Sequence, residues 1–351
     1  MNTAQKILLT VNILILLTAA VVMTAIIRLN FLYATDSAAE QWETETGTRY
    51  SQISVFLPIG NAMSIPETYG MRYIIETQLK NDNTIDKNGG NQWQDCASME
   101  GTATISHSNH DVETVMTGTW GDFFQFHPEE LISGSYYSDN DININRAVID
   151  DMAAWSLFGS VDAAEMTFYI GDTEFEVAGV VKSPLRADDQ IAYGTKPHIY
   201  LPIEAVSYVN EVAYLSSYEM CVPYKVDGYA LEMAKGVFPE TCEIVDQTGR
   251  FDVIKLVKGF KQLSESIMVK KGFIYPWYEN SVRAAELKAR MMAFPTALIL
   301  LIPAVSLVYL LFVTAKAIGR LFRFIGGKID DRKQKRLKKA YEQKKALEKT
   351  V

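Results

Sequence analysis

Residues 166–181 read MTFYIGDTEFEVAGVV and carry the clearest local signal in the sequence. Two runs of alternating apolar and polar residues flank Gly171-Asp172. Alternation with a period of two is typical of a half-buried strand, and a short Gly-containing pair between two such runs is typical of a hairpin turn. The sequence therefore predicts a β-hairpin here.

The segments on either side of the hairpin predict further short elements. Arg146–Gly159, RAVIDDMAAWSLFG, predicts a strand and then a helix with a glycine at its C-terminal end. His198–Leu201 predicts a strand, and Pro202 follows it. Asp122–Gly134, which contains His127-Pro128, predicts a turn region on the surface.

Toward the N-terminus, Arg49–Leu57 alternates and is rich in strand-forming residues, so it predicts a strand. Glu67–Leu79 predicts a helix, with Ser64 as its N-cap and Pro66 in its first turn. Four side chains are expected on or near one face of that helix: Tyr69, Tyr73, Ile74 and Leu79. Three strand-like runs follow, at Trp93–Ser98, Thr102–Ser106 and Val112–Gly118.

The C-terminal part of the same region predicts a βαβ-like unit. Its elements are a strand at Tyr218–Val226, a helix at Tyr229–Val237 and a strand at Cys242–Asp246. Val253–Arg290 is mostly helical in pattern. The predicted fold class is therefore an α+β domain.

Two uncharged apolar segments enclose this domain, at Ile7–Ile27 and Met291–Thr314. A helix of this length covers roughly 30 Å, the thickness of a hydrocarbon core. A cleaved signal peptide would have a shorter apolar region and a small-residue cleavage site. Because the first apolar run continues to Arg28, we expect an uncleaved anchor. In the second segment, Pro303 predicts a kink.

Charge predicts which way the two segments cross. Residues 315–351 carry 13 Lys or Arg and four Asp or Glu, whereas residues 30–290 carry 19 basic and 38 acidic side chains. Basic segments stay on the cytoplasmic side. Both termini are therefore expected in the cytoplasm, at a cell membrane, with residues 30–290 outside.

The basic tail, residues 316–351, mixes apolar and basic side chains. That pattern fits an amphipathic segment on an anionic leaflet, but a solvated helix whose charge only fixes topology is the simpler interpretation. The residues expected to contact the membrane or a partner are Arg320, Phe322, Arg323, Phe324, Lys328, Arg332 and Lys333.

No catalytic, cofactor or metal site is predicted. Gly326-Gly327-Lys328 lacks the spacing and the Ser or Thr of a P-loop, so any ATP hydrolysis is expected from a separate subunit. His107 and His110 are expected in a solvated loop. Asp139–Asn145 has oxygen ligands at alternate positions but lacks the glycine and glutamate of a calcium loop, so a polar turn is expected.

Three cysteines are too few for a disulfide framework. Cys221 and Cys242 are free to pair in an oxidising space, which would leave Cys96 odd. Reduced and buried cysteines are an equal alternative.

Five segments resemble the periplasmic core domain of MacB-like permeases, the group that includes lipoprotein-releasing and FtsX-type ABC transporter permeases. Three are LISGSYY at 131–137, with Ser135 in place of a basic residue, Arg146–Gly159, and MTFYIGDTEFEVAGV at 166–180. The other two are the strand Ser51–Leu57 and HIYLP at 198–202. The resemblance covers roughly residues 1–250.

The resemblance implies a domain plan. It consists of a cytoplasmic N-terminus (1–6), transmembrane helix 1 (7–29), an extracellular core domain with helical stalks (30–290), transmembrane helix 2 (291–315) and a basic cytoplasmic tail (316–351). Within the extracellular domain we expect a porter-like α/β part and a small inserted β-rich part at about 119–205.

The resemblance also implies a function and a departure from the family. A full permease of this group has four transmembrane helices, and two are expected here. The expected function is a non-catalytic, permease-like membrane subunit of an ABC transporter. The expected partners are an ATPase that docks on the cytoplasmic tail, membrane lipids, and a further permease subunit or a second copy of the chain, with no nucleic acid. The alternative is a stand-alone, membrane-anchored extracellular binding or sensor module.

Overall fold

The computed structural model describes residues 3–34, 37–59, 63–86, 92–138, 141, 143–206, 209, 215–261 and 270–347. The helices are α1 (Thr3–Ala34), α2 (Ala38–Thr46), α3 (Ile65–Asn81), α4 (Phe123–Phe126), α5 (Asp151–Phe158), α6 (Ala187–Tyr193), α7 (Ile203–Val206), α8 (Tyr229–Val237), α9 (Val253–Gly259), α10 (Trp277–Ile299) and α11 (Leu301–Leu347). The strands are β1 (Tyr50–Phe56), β2 (Gln94–His107), β3 (His110–Gly121), β4 (Leu131–Gly134), β5 (Arg146–Asp150), β6 (Thr167–Ile170), β7 (Thr173–Val181), β8 (His198–Pro202), β9 (Ser217–Pro223) and β10 (Glu243–Asp246).

The chain forms two compact units. One consists of residues 24–294 and contains the sheet, and the other consists of residues 1–23 and 295–351. The larger unit is α+β, and two apolar helical segments flank it in sequence. The predicted fold class is confirmed.

One end of the sheet has the strand order β10-β1-β9-β2. β1, α3 and β2 form one split β-α-β unit, because β9 lies between the two strands and is antiparallel to both. β9, α8 and β10 form a second unit, with β1 between its strands. Two interlocked units of this kind are the ferredoxin-like arrangement. Apolar side chains of the strands and of the helices form one core, including Ile53 of β1, Ile75 of α3 and Met233 of α8.

The other end of the sheet is made by residues between β2 and β9. β3 pairs in parallel with β8. From β8 the sheet continues through β5 and β7 to β4, and β6 pairs with β2 and with β7. Residues 119–205, which the domain plan assigns to an inserted part, supply β4 to β8 and share one continuous sheet with the rest. The boundaries of that part stay a prediction.

The hairpin at 166–181 is confirmed. Ile170 pairs with Thr173 across Gly171-Asp172, and Gly171 has a positive φ of 59°. The helix N-terminus at Ser64 is also confirmed, because Ser64 and Glu67 form a reciprocal capping box.

Three expectations on the sheet domain were wrong. Trp93–Ser98 and Thr102–Ser106 are not two strands but parts of the single strand β2, which pairs with β3 over its whole length from Cys96. Asp122–Gly134 is not a surface turn region, because Phe123 and Phe126 of α4 are buried. The predicted apolar face of α3 was displaced as well: Tyr69, Tyr73 and Ile74 are exposed, while Ile75 and Leu79 are buried.

Two helical segments are long and apolar enough to cross a membrane, Gln5–Tyr33 and Trp277–Ile325. None of the residues in their most apolar windows is buried. Helical geometry is interrupted at Leu300, between α10 and α11. Pro303 explains this break, because it has no N–H to donate to the carbonyl of Ile299 one turn earlier.

Gly134 tests the close packing at the end of β4. It has φ +72°, and a Cβ there would lie 2.2 Å from the carbonyl oxygen of Ala178. Gly159 has a similar φ of +66° but faces open space. We expect Gly159→Ala to cost about 1 kcal/mol of stability, from the left-handed backbone alone. Gly134→Ala should cost clearly more, measured as the shift in melting temperature. Equal losses would contradict the packing described here.

Glu100 predicts a pH dependence of stability. Burial raises the pKa of its carboxyl to about 8, although Thr117 donates a hydrogen bond that lowers it. The unfolded chain has a pKa near ~4.3 there, so the folded chain holds this proton longer and loses stability as the pH rises from about 4 to 8. Glu100→Gln should remove that loss, of order 2 kcal/mol after solvent screening.

The measurement is the melting temperature at pH 5 and pH 9. The gap between wild type and Glu100→Gln should widen at pH 9 in favour of the variant. Glu174→Gln, a change of the same kind at an exposed position, should leave the pH dependence unaltered. A constant gap across this range would show that Glu100 ionises normally.

Candidate functional site

A cavity of about 490 Å³ lies in the larger unit, where the last turns of α1 and the first turns of α10 meet the sheet. Its walls come from α1, α2, residues 182–189, residues 247–252 and α10. We call this region the junction. It is the place where the two helices that continue into the apolar segments contact the α+β domain.

A buried ion network fixes α10 within the junction. Arg250 donates through Nη1 and Nη2 to the two carboxylate oxygens of Glu279, at 3.0 and 3.1 Å. Its Nε donates to Glu286 at 2.8 Å, about two helical turns further along α10 on the same face. Arg283 Nε donates to Glu279 at 2.6 Å. These four side chains are all at most 8% exposed.

The network extends to the edge strand β10 through Glu243. Arg283 Nη2 lies 2.7 Å from Glu243 Oε1, while Lys270 Nζ and the Tyr275 hydroxyl donate to Oε2 at 2.8 and 2.7 Å. Burial would raise the pKa of the Glu243 carboxyl, but these three donors more than offset it and lower the pKa. Glu243 is therefore ionised and holds α10 against the sheet.

Burial and charge act in opposite directions on Arg250. Desolvation would lower the pKa of its guanidinium, and the carboxylates of Glu279 and Glu286 outweigh that effect and raise it. The charged form is thus retained inside the protein. Each charge here is hydrogen-bonded to another, so the arrangement is suited to holding two elements together rather than to moving a proton.

The end of α1 is attached at the same place by Tyr33. Its ring stacks on Phe251 at a centroid distance of 5.3 Å, and its hydroxyl lies 3.3 Å from Ser281 Oγ of α10. Arg186 lies 4.8 Å above that ring and donates to the carbonyl oxygen of Leu32 at 3.0 Å. Asp189 accepts hydrogen bonds from both Arg186 and Ser281. One cluster therefore joins α1, α6 and α10.

Gln247 connects the ion network to a second polar group beneath α10. Its side-chain amide donates to Glu279 at 3.1 Å and to Ser54 Oγ at 3.0 Å. Ser54 in turn donates to Glu219 Oε2 at 2.6 Å, and His127 Nε2 lies 2.6 Å from Glu219 Oε1. Burial would raise the pKa of the Glu219 carboxyl, but the adjacent His127 lowers it.

The residues predicted from the sequence to contact a partner or the membrane lie elsewhere. They all belong to α11, in the other compact unit, and all are exposed: Arg320, Phe322, Arg323, Phe324, Lys328, Arg332 and Lys333. The structure brings Lys328 Nζ to 4.8 Å from the Phe324 ring. Their role in contacting a partner stays a prediction.

Other residues considered in the sequence have separate roles. Cys96, Cys221 and Cys242 are all reduced, so Cys221 and Cys242 do not pair in a disulfide. The expectation of a loop at His107 and His110 was wrong, because they are the paired end residues of β2 and β3. His107 lies 2.8 Å from the carbonyl oxygen of Thr167. The oxygen-rich run at 139–145 falls partly outside the described residues.

Sequence reasoning missed the junction. One signal was present, since Glu279 and Arg283, and Glu286 and Arg290, are spaced four apart and pair along α10. Nothing local points to Arg250, because its partners lie about 30 positions away in sequence.

Comparisons with known proteins give one sequence relative. The chain is 30% identical over 100 residues to the macrolide export ATP-binding/permease protein MacB of Pasteurella multocida (strain Pm70). The aligned part is 28% of this chain and only 15% of that protein. This alignment confirms the resemblance predicted from the sequence. No family model matches.

Three solved structures are similar at low identity. The extracellular domain of the ABC-type transporter YknZ from Gram-positive bacteria is 14% identical, with 55% of this chain and 99% of that chain covered and a TM-score of 0.40. The periplasmic region of MacB from Actinobacillus actinomycetemcomitans is 14% identical, with coverages of 62% and 93% and a TM-score of 0.40. A permease domain from Porphyromonas gingivalis is 16% identical, with coverages of 57% and 90% and a TM-score of 0.34.

A substitution at Glu279 tests how much the ion network contributes to stability. Glu279→Gln leaves Arg250 and Arg283 without their shared carboxylate in a buried place, which typically costs 3–5 kcal/mol. Glu232 pairs with Lys235 on the exposed side of α8, and Glu232→Gln should change stability by less than about 0.5 kcal/mol. The measurement is the melting temperature of each purified chain. Similar values for the two variants would mean that the network contributes nothing to holding α10.

Proposed function

We propose that this chain is a membrane subunit of an ABC transporter that carries movement from its two apolar helices to an extracellular domain. One observation carries the proposal: the end of α1 and the start of α10 are fastened to each other and to the sheet in the junction. Tyr33 reaches Ser281, and Arg250 reaches Glu279 and Glu286.

The continuity of α1 supports the transmission of movement. α1 is helical from Thr3 to Ala34, so an apolar residue such as Leu14 and the junction residue Tyr33 belong to one element. Arg283 and Glu243 link α10 to the edge strand β10. A displacement of α1 or α10 would therefore be passed to the sheet instead of being absorbed by a loop.

The orientation is part of the proposal. The basic tail (316–351) and residues 1–6 lie in the cytoplasm, residues 7–29 and 291–315 cross the membrane, and residues 30–290 lie outside, because Lys and Arg accumulate on the cytoplasmic side. The energy would come from a separate ATPase subunit. Further partners are lipids and a second permease-like chain, either another subunit or a copy of this one.

The tail supplies a surface for that ATPase. α11 continues to Leu347, well past the last residue of the apolar segment at Thr314. Arg320, Arg323 and Lys328 are exposed on it, together with Phe322 and Phe324. A mixed basic and aromatic surface of this kind suits docking on an acidic groove of a cytoplasmic protein.

A stand-alone extracellular binding or sensor module is the second candidate. The cavity of about 490 Å³ favours it, because its volume is that of a small-molecule site and polar side chains such as Glu129, Arg186 and Gln247 line it. In that case the tail would fix topology and bind no ATPase.

Isolation of the tagged chain from its own membranes in mild detergent separates the two functions. We expect an ABC ATPase subunit to co-purify and the eluate to hydrolyse ATP. Replacing Arg320, Arg323 and Lys328 by Ala should lower the recovered ATPase by at least about fivefold, since charged contacts at an interface are worth about 1 kcal/mol or more together.

The control replaces three exposed lysines of the extracellular domain, Lys196, Lys235 and Lys255, and should leave the recovery unchanged. Recovery of neither an ATPase nor a further permease chain with the wild-type protein would sink the transporter proposal in favour of the binding module. Recovery of an ATPase by both variants alike would place its docking site away from these three residues.

A further inference from the structure

Three side chains of different chemical type converge beneath α10. Cys96 lies on β2, Glu219 lies directly opposite it on β9, and His127 follows α4. The Cys96 Sγ, a His127 ring nitrogen and a Glu219 carboxylate oxygen all lie within 4.8 Å of one another. Cys96 and Glu219 are 1% and 3% exposed, and the His127 side chain is 14% exposed.

We propose that Cys96, His127 and Glu219 form a binding site for a divalent metal ion of the Zn²⁺ type. A thiolate, an imidazole and a carboxylate are the three ligand classes that Zn²⁺ takes in proteins. This site goes beyond the proposed transport function, and it does not depend on that function.

Charge balance supports the assignment. A thiolate and a carboxylate contribute two negative charges, and a neutral imidazole contributes none. A divalent cation would therefore leave the buried cluster electrically neutral, which matters because an unbalanced charge away from water costs several kcal/mol. A monovalent ion would leave one negative charge uncompensated.

Neighbouring groups already orient two of the three ligands. Ser54 Oγ donates to Glu219 Oε2 at 2.6 Å and leaves Oε1 directed at His127. The His127 ring stacks on Tyr278 with centroids 3.6 Å apart. Partners that fix the rotation of ligand side chains are a regular feature of metal sites and strongly affect affinity.

The separation between His127 and Glu219 requires only a small adjustment. His127 Nε2 and Glu219 Oε1 are 2.6 Å apart, a hydrogen-bond separation. Two ligands of a tetrahedral zinc ion, each about 2.0–2.1 Å from the metal, lie about 3.3 Å apart. The metal would replace the shared proton, and rotation about side-chain bonds would supply the difference. The ring proton would then reside on Nδ1 of His127.

The cavity of the junction gives the ion a route and a fourth ligand. His127 and Glu219 both line it, whereas Cys96 closes the site from the sheet side. A water molecule from the cavity would complete four-coordination. Tyr278 belongs to α10, so an ion bound here would also stiffen the attachment of that helix to β2 and β9.

The competing explanation is a plain ion pair between His127 and Glu219, which needs no thiol. The two explanations differ at Cys96. Cys96→Ser would leave an ion pair unchanged, whereas it would remove the thiolate ligand from a metal site. The experiment therefore turns on that residue.

The test uses the full chain in detergent, treated with a chelator and then titrated with Co²⁺, which reports thiolate ligation through a charge-transfer absorption. We expect one Co²⁺ per chain with that absorption, displaced by Zn²⁺. Cys96→Ser should abolish the absorption and weaken Zn²⁺ binding by at least about 100-fold, more than the loss of a single neighbouring partner causes.

Two further variants keep the test independent of folding. His127→Gln retains a donor for Glu219 but has no imidazole, so it should fold and lose the metal. Cys242→Ser removes a partly exposed thiol outside the proposed site and should bind as the wild type does. Melting temperatures in the presence of chelator confirm that each chain is folded.

The proposal is overturned if the wild-type chain shows no thiolate absorption, or if Cys96→Ser binds Zn²⁺ as tightly as the wild type. Neither result would touch the transporter proposal, whose readout is recovery of an ATPase. Conversely, a chain that binds Zn²⁺ as described but recovers no ATPase would retain the metal site and lose the transporter function.

Discussion

The structure of the junction depends on the burial of Arg250 against Glu279. Removing two ions from water costs several kcal/mol for each, and only good geometry with further hydrogen bonds returns that energy. Here Nη1 and Nη2 of Arg250 each donate to one carboxylate oxygen of Glu279, and Glu286 accepts a hydrogen bond from Nε. If α10 were shifted to a position between two paired arrangements, a buried charge would be left unpaired. The pair therefore specifies where α10 lies along the sheet, in a way that apolar contacts, which are not directional, would not.

One face of α10 carries this constraint because of helical geometry. Glu279, Arg283, Glu286 and Arg290 are separated by four, three and four residues, so they lie on one stripe of a helix with 3.6 residues per turn. The stripe alternates in sign and faces Arg250 and Glu243, which come from the loop after β10 and from β10 itself. If α10 slid along its axis relative to the sheet, charges of the same sign on the helix and the sheet would face each other. We therefore expect the sheet to move together with the helix.

The parts of the fold that the sequence predicted are those with a strong local period or a local cap. The hairpin around Gly171 and the capping box at Ser64 need only neighbouring residues. Prediction failed where contact with an element distant in sequence decides which face of a helix is buried. α3 has apolar side chains on several sides, and contact with the sheet buries Ile75 rather than Tyr73. Phe123 is buried for the same reason, by an aromatic cluster that brings together residues far apart in sequence. Cys96 and Glu219 were missed because strand pairing brings them together, and Arg250 was missed because its partners on α10 lie about 30 positions away in sequence.

α10 also shows how one helix meets two different surroundings. From Trp277 to Arg290 its charged side chains are largely satisfied within the protein, with Glu279, Arg283 and Glu286 buried. From Met291 to Thr314 the chain has no charge, and most of its large apolar side chains are exposed. Apolar side chains exposed over so long a stretch are unfavourable in water and favourable in lipid. The change from paired charge to exposed hydrocarbon occurs within one turn, so the buried ion network directly precedes in sequence the segment that the proposed function would move in a membrane. A stiff attachment is most useful at that position, since any loose turn between the two would absorb the displacement.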